Sequence, residues 1–288
     1  MEEAVQVAAD AGFGGIAWTI RPGAHILPEY VARDLPRAVA LTHAAGLGTP
    51  LIVTAFRDAE SPHAESILET ATGLGIRLYR AQTDTYDYAG DVPAQLNAQR
   101  LRVASLVRLN ERFGATALFH DHTGEVGGAV WDLWLLLQDF DPERVGINFD
   151  TGYGFAGAGN GWREAVRFAR RYIRSLSLKD FRWNQQQQAG RPWMAEICAP
   201  GQGIVNFKEM LGYFQSTDFH GPAEVQFEYP VMVRGRAAPV SFMVAGGGGD
   251  VGRWKLEMPA AEFVALLRRD AAFYAARLRE SGLNPVAT

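Results

Sequence analysis

The sequence predicts an α/β fold of the TIM (β/α)8-type barrel in which this chain lacks the first β-strand. Three observations predict it. Short β-rich runs alternate with helical stretches along the chain, the pattern of a parallel sheet covered by helices. The 288 residues suit one barrel domain spanning 1–288. Polar side chains collect where successive strands end, the edge at which barrel enzymes build their sites.

Residues 2–11 read as a helix closed by Gly12, and GIAWTI (15–20) as a strand. Residues 28–46 are helical with an internal Pro36, and TPLIVTAF (49–56) is a strand. SPHAESILETATGLG (61–75) carries a helix start signal, a capping Ser61 with Pro62 at the first helical position. A strand IRLYRA (76–81) precedes a long helix near 91–113, in which Leu96, Val103, Leu106 and Val107 recur at helical spacing. Next come strand ATALFHDH (115–122), a helix around AVWDLWLLLQDF, strand VGINFD (145–150) and a helix at 162–172. Strand IRSLSLKD (173–180), helix NFKEMLGYFQ (206–215) and strand AEVQFEY (223–229) follow. A last helix runs from Pro259 to about Glu280, with Phe263, Leu267, Tyr274 and Leu278 on one face.

The tally is seven strands and eight helices, starting and ending with a helix. A closed barrel wants one more strand, so the expectation is a first strand upstream of Met1, with an open sheet as the alternative. Either leaves edges between the first and last strands. Two stretches interrupt the rhythm, 180–206 with its Gln run and 230–255 with its Gly run. Both follow strand ends and read as functional loops or as flexible linkers.

Lys and Arg total 28 against 32 Asp and Glu, a net charge of −4, and no basic run is long enough to track a phosphate backbone. Cys198 is the only cysteine, which excludes an intramolecular disulfide and a cysteine zinc cluster and suggests a buried, inert thiol. No stretch approaches the roughly 20 apolar residues of a membrane span, and MEEAVQVAADAG does not resemble a signal peptide. The expected partner is therefore a small molecule, with no nucleic acid and no membrane. The location expected is cytoplasmic, secretion being left open by the shortened N-terminus, and homo-oligomer formation is left open too.

Four consecutive strands end in polar groups: His120 and His122, then Asp150, then Lys179 and Asp180, then Glu228. On a barrel these ends converge at one mouth. In LFHDHTG, strand alternation would point His120 and His122 together and Asp121 away. Removing a proton next to a carbonyl needs a base and a positive group that stabilises the resulting oxyanion. Glu228 or His122 is the candidate base and Lys179 the candidate cation. The plainer readings are a salt bridge from Lys179 to Asp150 or Glu228, and a His122 tied to a backbone carbonyl. Arg21 and His25 in TIRPGAHI, Arg80 in LYRAQ, and Arg182 with Trp183 in KDFRW are candidate substrate contacts, through hydrogen bonds to hydroxyls or anions and stacking. Loop salt bridges and simple packing are their alternatives.

The stretches ADAGFGGIAWTIRPGAHI, FHDHTGEVGGAVWDLWLLLQDFDPERVGINFDTGYG, SLKDFRW and GQGIVNFKEMLGYFQSTDFHGPAEVQFEYP together resemble the xylose isomerase-like barrels, the sugar phosphate isomerase/epimerase family that also includes endonuclease IV. The resemblance implies a divalent metal (Mn, Mg or Zn) held from four strand ends. Carried over, the ligand positions fall on His120, Asp150, a residue near Ser177, and Glu228. Ser177 is no ligand, and Tyr153 stands where the family often has histidine, so the implied set shrinks to His120, Asp150 and Glu228. The implied function is a sugar or keto-sugar isomerase or epimerase. Alternatives are an eliminating lyase on 3-oxo sugars and a non-catalytic carbohydrate-binding barrel that has lost its metal. An endonuclease-like protein, which needs many more metal ligands, fits six histidines and a negative net charge poorly.

Overall fold

The computed structural model describes residues 1–185, 193–217, 219–229, 231 and 258–283. Six parallel strands come first: β1 (Trp18–Ile20), β2 (Leu51–Thr54), β3 (Leu78–Ala81), β4 (Thr116–His120), β5 (Val145–Asp150) and β6 (Ile173–Leu178). An antiparallel hairpin of β7 (Asp180–Gln185) and β8 (Trp193–Cys198) follows, and β9 (Ala223–Val225) then pairs parallel with β6. The seven-stranded sheet has the order β1-β2-β3-β4-β5-β6-β9.

Around it lie α1 (Glu2–Ala11), α2 (Val31–Ala44), α3 (Ala64–Gly73), α4 (Val92–Phe113), α5 (Val130–Leu137), α6 (Thr151–Ala158), α7 (Trp162–Ala169), α8 (Phe207–Ser216) and α9 (Ala260–Glu280). Among the described residues no helix is long and apolar enough to cross a membrane.

Strand parity sorts the side chains. Trp18 donates to Thr42 of α2, Tyr79 to Asn110 of α4, and Phe149 packs on Phe214 of α8, so these residues face the helices. Their neighbours Arg80, Asn148 and Asp150 must then face the other way, into the sheet's concave side. In a flat sheet strands four steps apart would lie about 19 Å apart. Yet Arg80 on β3 comes within 3.8 Å of Glu224 on β9, because the sheet curls into an incomplete barrel. Between Ile147 and Asn148 the β5–β6 register shifts, so Asn148 pairs with Ser175. Such an irregularity re-aims side chains, and here it sets Asn148, Ser175, Asp150 and Ser177 on one interior row.

The expected gap lies between β1 and β9, the ends of the sheet. Helices bridge it from outside: α1 packs against α9, and Arg268 donates through Nε (3.0 Å) and Nη2 (2.6 Å) to the carbonyl of Asp10.

Several expectations need correction. The stretch from 180 onward is not a plain loop but begins as the β7–β8 hairpin; part of its Gln run, and 230–255 apart from Val231, lie outside the described residues. Helix α6 was not expected, because TGYGFAGA is rich in glycine. It starts because Asp150 caps it, Oδ1 accepting from Gly152 and Tyr153 N–H groups at 2.8 Å each. Ser61 does not cap α3: its hydroxyl accepts from the Arg57 and Asp58 N–H groups in the preceding turn, and the helix starts after His63. Strand β4 stops at His120, and the last strand at Val225, so His122 and Glu228 stand on the connections beyond.

Cys198 closes the hairpin opposite Asp180 and is buried. Burial, and then the Asp180 carboxylate, push its thiol up to about 12. The thiolate is the reactive form, so Cys198 is expected to resist iodoacetamide at pH 8 in the folded protein and to react fully in denaturant; rapid labelling of the native protein would contradict this burial.

Candidate functional site

The C-terminal ends of β4, β5, β6 and β9 meet around the ammonium group of Lys179. Lys179 is 2% exposed, and its Nζ lies 3.0 Å from Asp150 Oδ2 and 2.6 Å from Glu228 Oε2. The Tyr153 ring lies below it, 4.8 Å from Nζ to the centroid. Thr151 fixes the backbone of this lysine, accepting from its N–H at 2.9 Å and donating to its carbonyl at 2.7 Å. Burial alone would lower the Lys179 pKa; the carboxylates of Asp150 and Glu228 outweigh it and hold the group above its usual value. Lys179 is therefore a fixed positive charge at neutral pH.

Asp150 is fully buried and its two oxygens have separate tasks. Oδ1 caps α6, while Oδ2 faces Lys179 and lies 3.4 Å from His120 Nε2. Burial pushes this carboxyl up, against the pull of Lys179 and of the capping N–H groups. Asp121 points away from the mouth, as alternation implies, and accepts the Asp150 N–H at 2.6 Å.

Deeper in the barrel a polar chain holds His120. The Asn148 amide donates to Ser175 Oγ (2.6 Å) and to Glu224 Oε1 (3.1 Å), so its oxygen faces His120 Nδ1 (2.7 Å) and the Ser177 hydroxyl (2.9 Å). That orientation requires the hydrogen of His120 on Nδ1 and turns Nε2 toward Asp150. Burial first, then the charges of Arg80 and Lys179, keep His120 neutral well below its usual pKa. Gln226 completes the row by donating to Ser177 Oγ at 3.0 Å.

The remaining candidates occupy the rim. His122 stacks obliquely on Tyr153 with centroids 4.6 Å apart, and its Nδ1 meets the Thr123 carbonyl at 3.1 Å. Arg21 directly follows β1 and is half-buried, and the exposed His25 sets its ring edge-on to Trp18. Arg182 is paired with Glu196 at 2.7 Å across the hairpin, on the face opposite Trp183. Trp183 is exposed and contacts Phe181. Asp180 does not join the mouth. Its carboxylate accepts the N–H groups of Phe181, Gly201, Gly203 and Val205, and a Cβ at Gly203 would come 2.1 Å from Oδ1, so glycine is needed there.

Sequence reading missed Asn148, Ser175, Glu224 and Gln226 as parts of this site. The signal that could have found them is parity: Asn148 stands two before Asp150, Ser175 two before Ser177, and Glu224 and Gln226 lie at two-residue steps before Glu228.

The sequence over residues 5–240 matches the xylose isomerase-like TIM barrel family. The chain belongs to this family. No curated protein matches it, but solved structures share its fold. The apo 3-keto-D-glucoside 4-epimerase YcjR of E. coli is 13% identical, with 94% of each chain covered and a TM-score of 0.61. A xylose isomerase-like TIM barrel protein of Mycobacterium smegmatis in complex with magnesium is 13% identical, with 97% of this chain and 87% of that one covered and a TM-score of 0.63. The probable 3-DHS dehydratase AsbF of Bacillus anthracis is 16% identical, with 78% and 86% covered and a TM-score of 0.60.

One of these structures holds magnesium, and the ligand set expected for this chain is His120, Asp150 and Glu228. Among the described residues no group of three or more His, Cys, Asp or Glu side chains is placed to hold an ion. The reason is Lys179, whose ammonium lies against the two carboxylates such an ion would need, while the Ser177 hydroxyl is already donated to Asn148. The donor set as arranged does not fit a divalent cation.

Removing one partner of a buried ion pair leaves the other charge uncompensated, at a cost of about 3–5 kcal/mol. Lys179→Met is expected to lower the urea unfolding free energy by about 3 kcal/mol. Adding Asp150→Asn to it should cost less than the sum of the two single changes; strict additivity would mean that the two side chains are not coupled.

Proposed function

We propose that this chain is an enzyme that isomerises or epimerises a sugar or keto-sugar by removing a proton next to its carbonyl. The observation that carries this reading is the ammonium of Lys179 fixed between Asp150 and Glu228 at the barrel mouth. Glu228 is the base. Its side chain is 24% exposed, against 0% for Asp150, so it is the carboxylate of the pair that a substrate can reach. Asp150, spent on the α6 cap and on Lys179, positions the cation.

In the first step Glu228 takes the proton from the carbon beside the carbonyl, and the electron pair moves onto the carbonyl oxygen to give an enediolate. Lys179, already desolvated and held in place, stabilises that oxygen without reorganising. Protonation of the former carbonyl carbon, with the hydroxyl proton passing to the former carbonyl oxygen, isomerises the sugar; protonation of the same carbon from the opposite face by a second acid, while Glu228 keeps the proton it took, epimerises it. His122, on the rim beside Tyr153, is the candidate for that second acid. Family membership and the epimerase among the similar structures are consistent with this class of reaction.

Turnover on a panel of ketoses and 3-oxo sugars tests the proposal. At least one is expected to be converted, and Glu228→Gln should lose at least about 100-fold in kcat, the scale of a general base. A folded Glu228→Gln protein of undiminished activity rejects the assignment. Expulsion of the β-substituent with formation of a C=C bond, in place of rearrangement, would assign the same first step to an elimination. No conversion of any sugar would favour a carbohydrate-binding role.

A further inference from the structure

The other side of the mouth, formed by β1 and β3, carries two guanidinium groups that this chemistry does not use. Arg21 follows β1 directly, and Arg80 points inward from β3 because Tyr79 beside it points to α4. Both are partly buried, Arg80 with 19% of its side chain exposed. Burial, followed by the charge of Arg80, lowers the Arg21 pKa, so the two cations feel each other. Among the described residues Arg21 has no carboxylate partner, and Arg80 has only Glu224, whose Oε2 is 3.8 Å away, beyond hydrogen-bond reach.

Two like charges brought together and partly desolvated are costly unless something compensates them. Elsewhere in this protein even the more exposed arginines of the outer helices are matched closely, as Arg100 is by Asp139 and Arg163 by Glu209. Glu224 is the counter-charge: burial raises its pKa, but its oxygens face the Asn148 amide N–H and the Arg80 guanidinium, both of which favour the ionised form. Among these three groups, two positive charges less one leave one positive charge on the β1–β3 side of the cavity. That balance matches a monoanion better than a dianion, and guanidinium groups present paired N–H donors that suit a planar carboxylate.

We infer that Arg21 and Arg80 form a subsite for the carboxylate of a sugar-acid substrate, across the mouth from Lys179 and Glu228. The inference rests on the reading of this mouth as a sugar-converting site and names the class of sugar. Substrate would then be oriented by its carboxylate on the β1–β3 side while its carbonyl meets Lys179. Neutral sugars would lack that anchor, and sugar phosphates would bring one negative charge too many.

The test compares D-glucose, D-glucuronate and D-glucose 6-phosphate as probes, titrated calorimetrically into the full chain at constant ionic strength. Glucuronate is expected to bind at least about tenfold more tightly than either of the others. Arg21→Gln and Arg80→Gln should each erase that preference while circular dichroism shows the fold retained. Glu228→Gln should keep it, which separates this inference from the assignment of the base. Equal affinities, tighter binding of the phosphate, binding by none of the three, or an undiminished preference in folded Arg21→Gln would each overturn it.

Discussion

The arrangement of the mouth depends on one constraint: an ammonium group enclosed in the barrel has to be neutralised where it stands. Lys179 is 2% exposed, so water contributes little, and the carboxylates of Asp150 and Glu228 must approach it from two other strand ends. That requirement brings β5, β6 and the segment after β9 together at one point. It also explains the divided work of Asp150, whose second oxygen starts α6. The helix N-terminus and the ammonium are both positive, so one buried carboxylate serves both.

The same lysine occupies the two carboxylates that a divalent ion would need. A divalent ion and an ammonium compete for the same carboxylates, and packing both beside Asp150 would leave the region over-charged. Where the family pattern led to histidine near Ser177, this chain has a hydroxyl tied to Asn148, a group suited to hold an amide and not an ion. The arrangement is continuous across neighbouring strands: Asn148 donates to Ser175, Ser177 donates to Asn148, and Gln226 donates to Ser177.

Much of this was legible in the sequence. The seven parallel strands followed from hydrophobic runs alternating with helical periodicity, and the meeting of Asp150, Lys179 and Glu228 followed from assigning them to strand ends, although the last strand stops at Val225, three residues before Glu228. Three things were hidden for separate physical reasons. Helix α6 is a helix of weak intrinsic propensity, TGYGFAGA, held by a cap whose importance is set by burial. The β7–β8 hairpin was masked by a polar Gln run, although Asp180 at its base collects four backbone N–H groups. The interior polar row was overlooked because Asn148 and Glu224 stand inside strands, where apolar residues were expected, and only the curl of the sheet brings β3 within reach of β9.

The curl also sorts the charges of the mouth into two halves. On the β5–β6 side every cation is matched: Lys179 meets two carboxylates, and His120 is kept neutral by burial and by the nearby positive groups. On the β1–β3 side Arg21 and Arg80 outnumber Glu224. The row from Glu224 through Asn148 to His120 and Asp150 joins these halves by direct contacts, so a charge placed on one side is felt on the other through a short, water-poor path. An anion held by the arginines would lessen the positive field that depresses the His120 pKa, while leaving the Lys179 ammonium clamped by its own carboxylates. The proposed binding and the proposed chemistry thus lie on opposite sides of one curled sheet, joined by the side chains that line its interior.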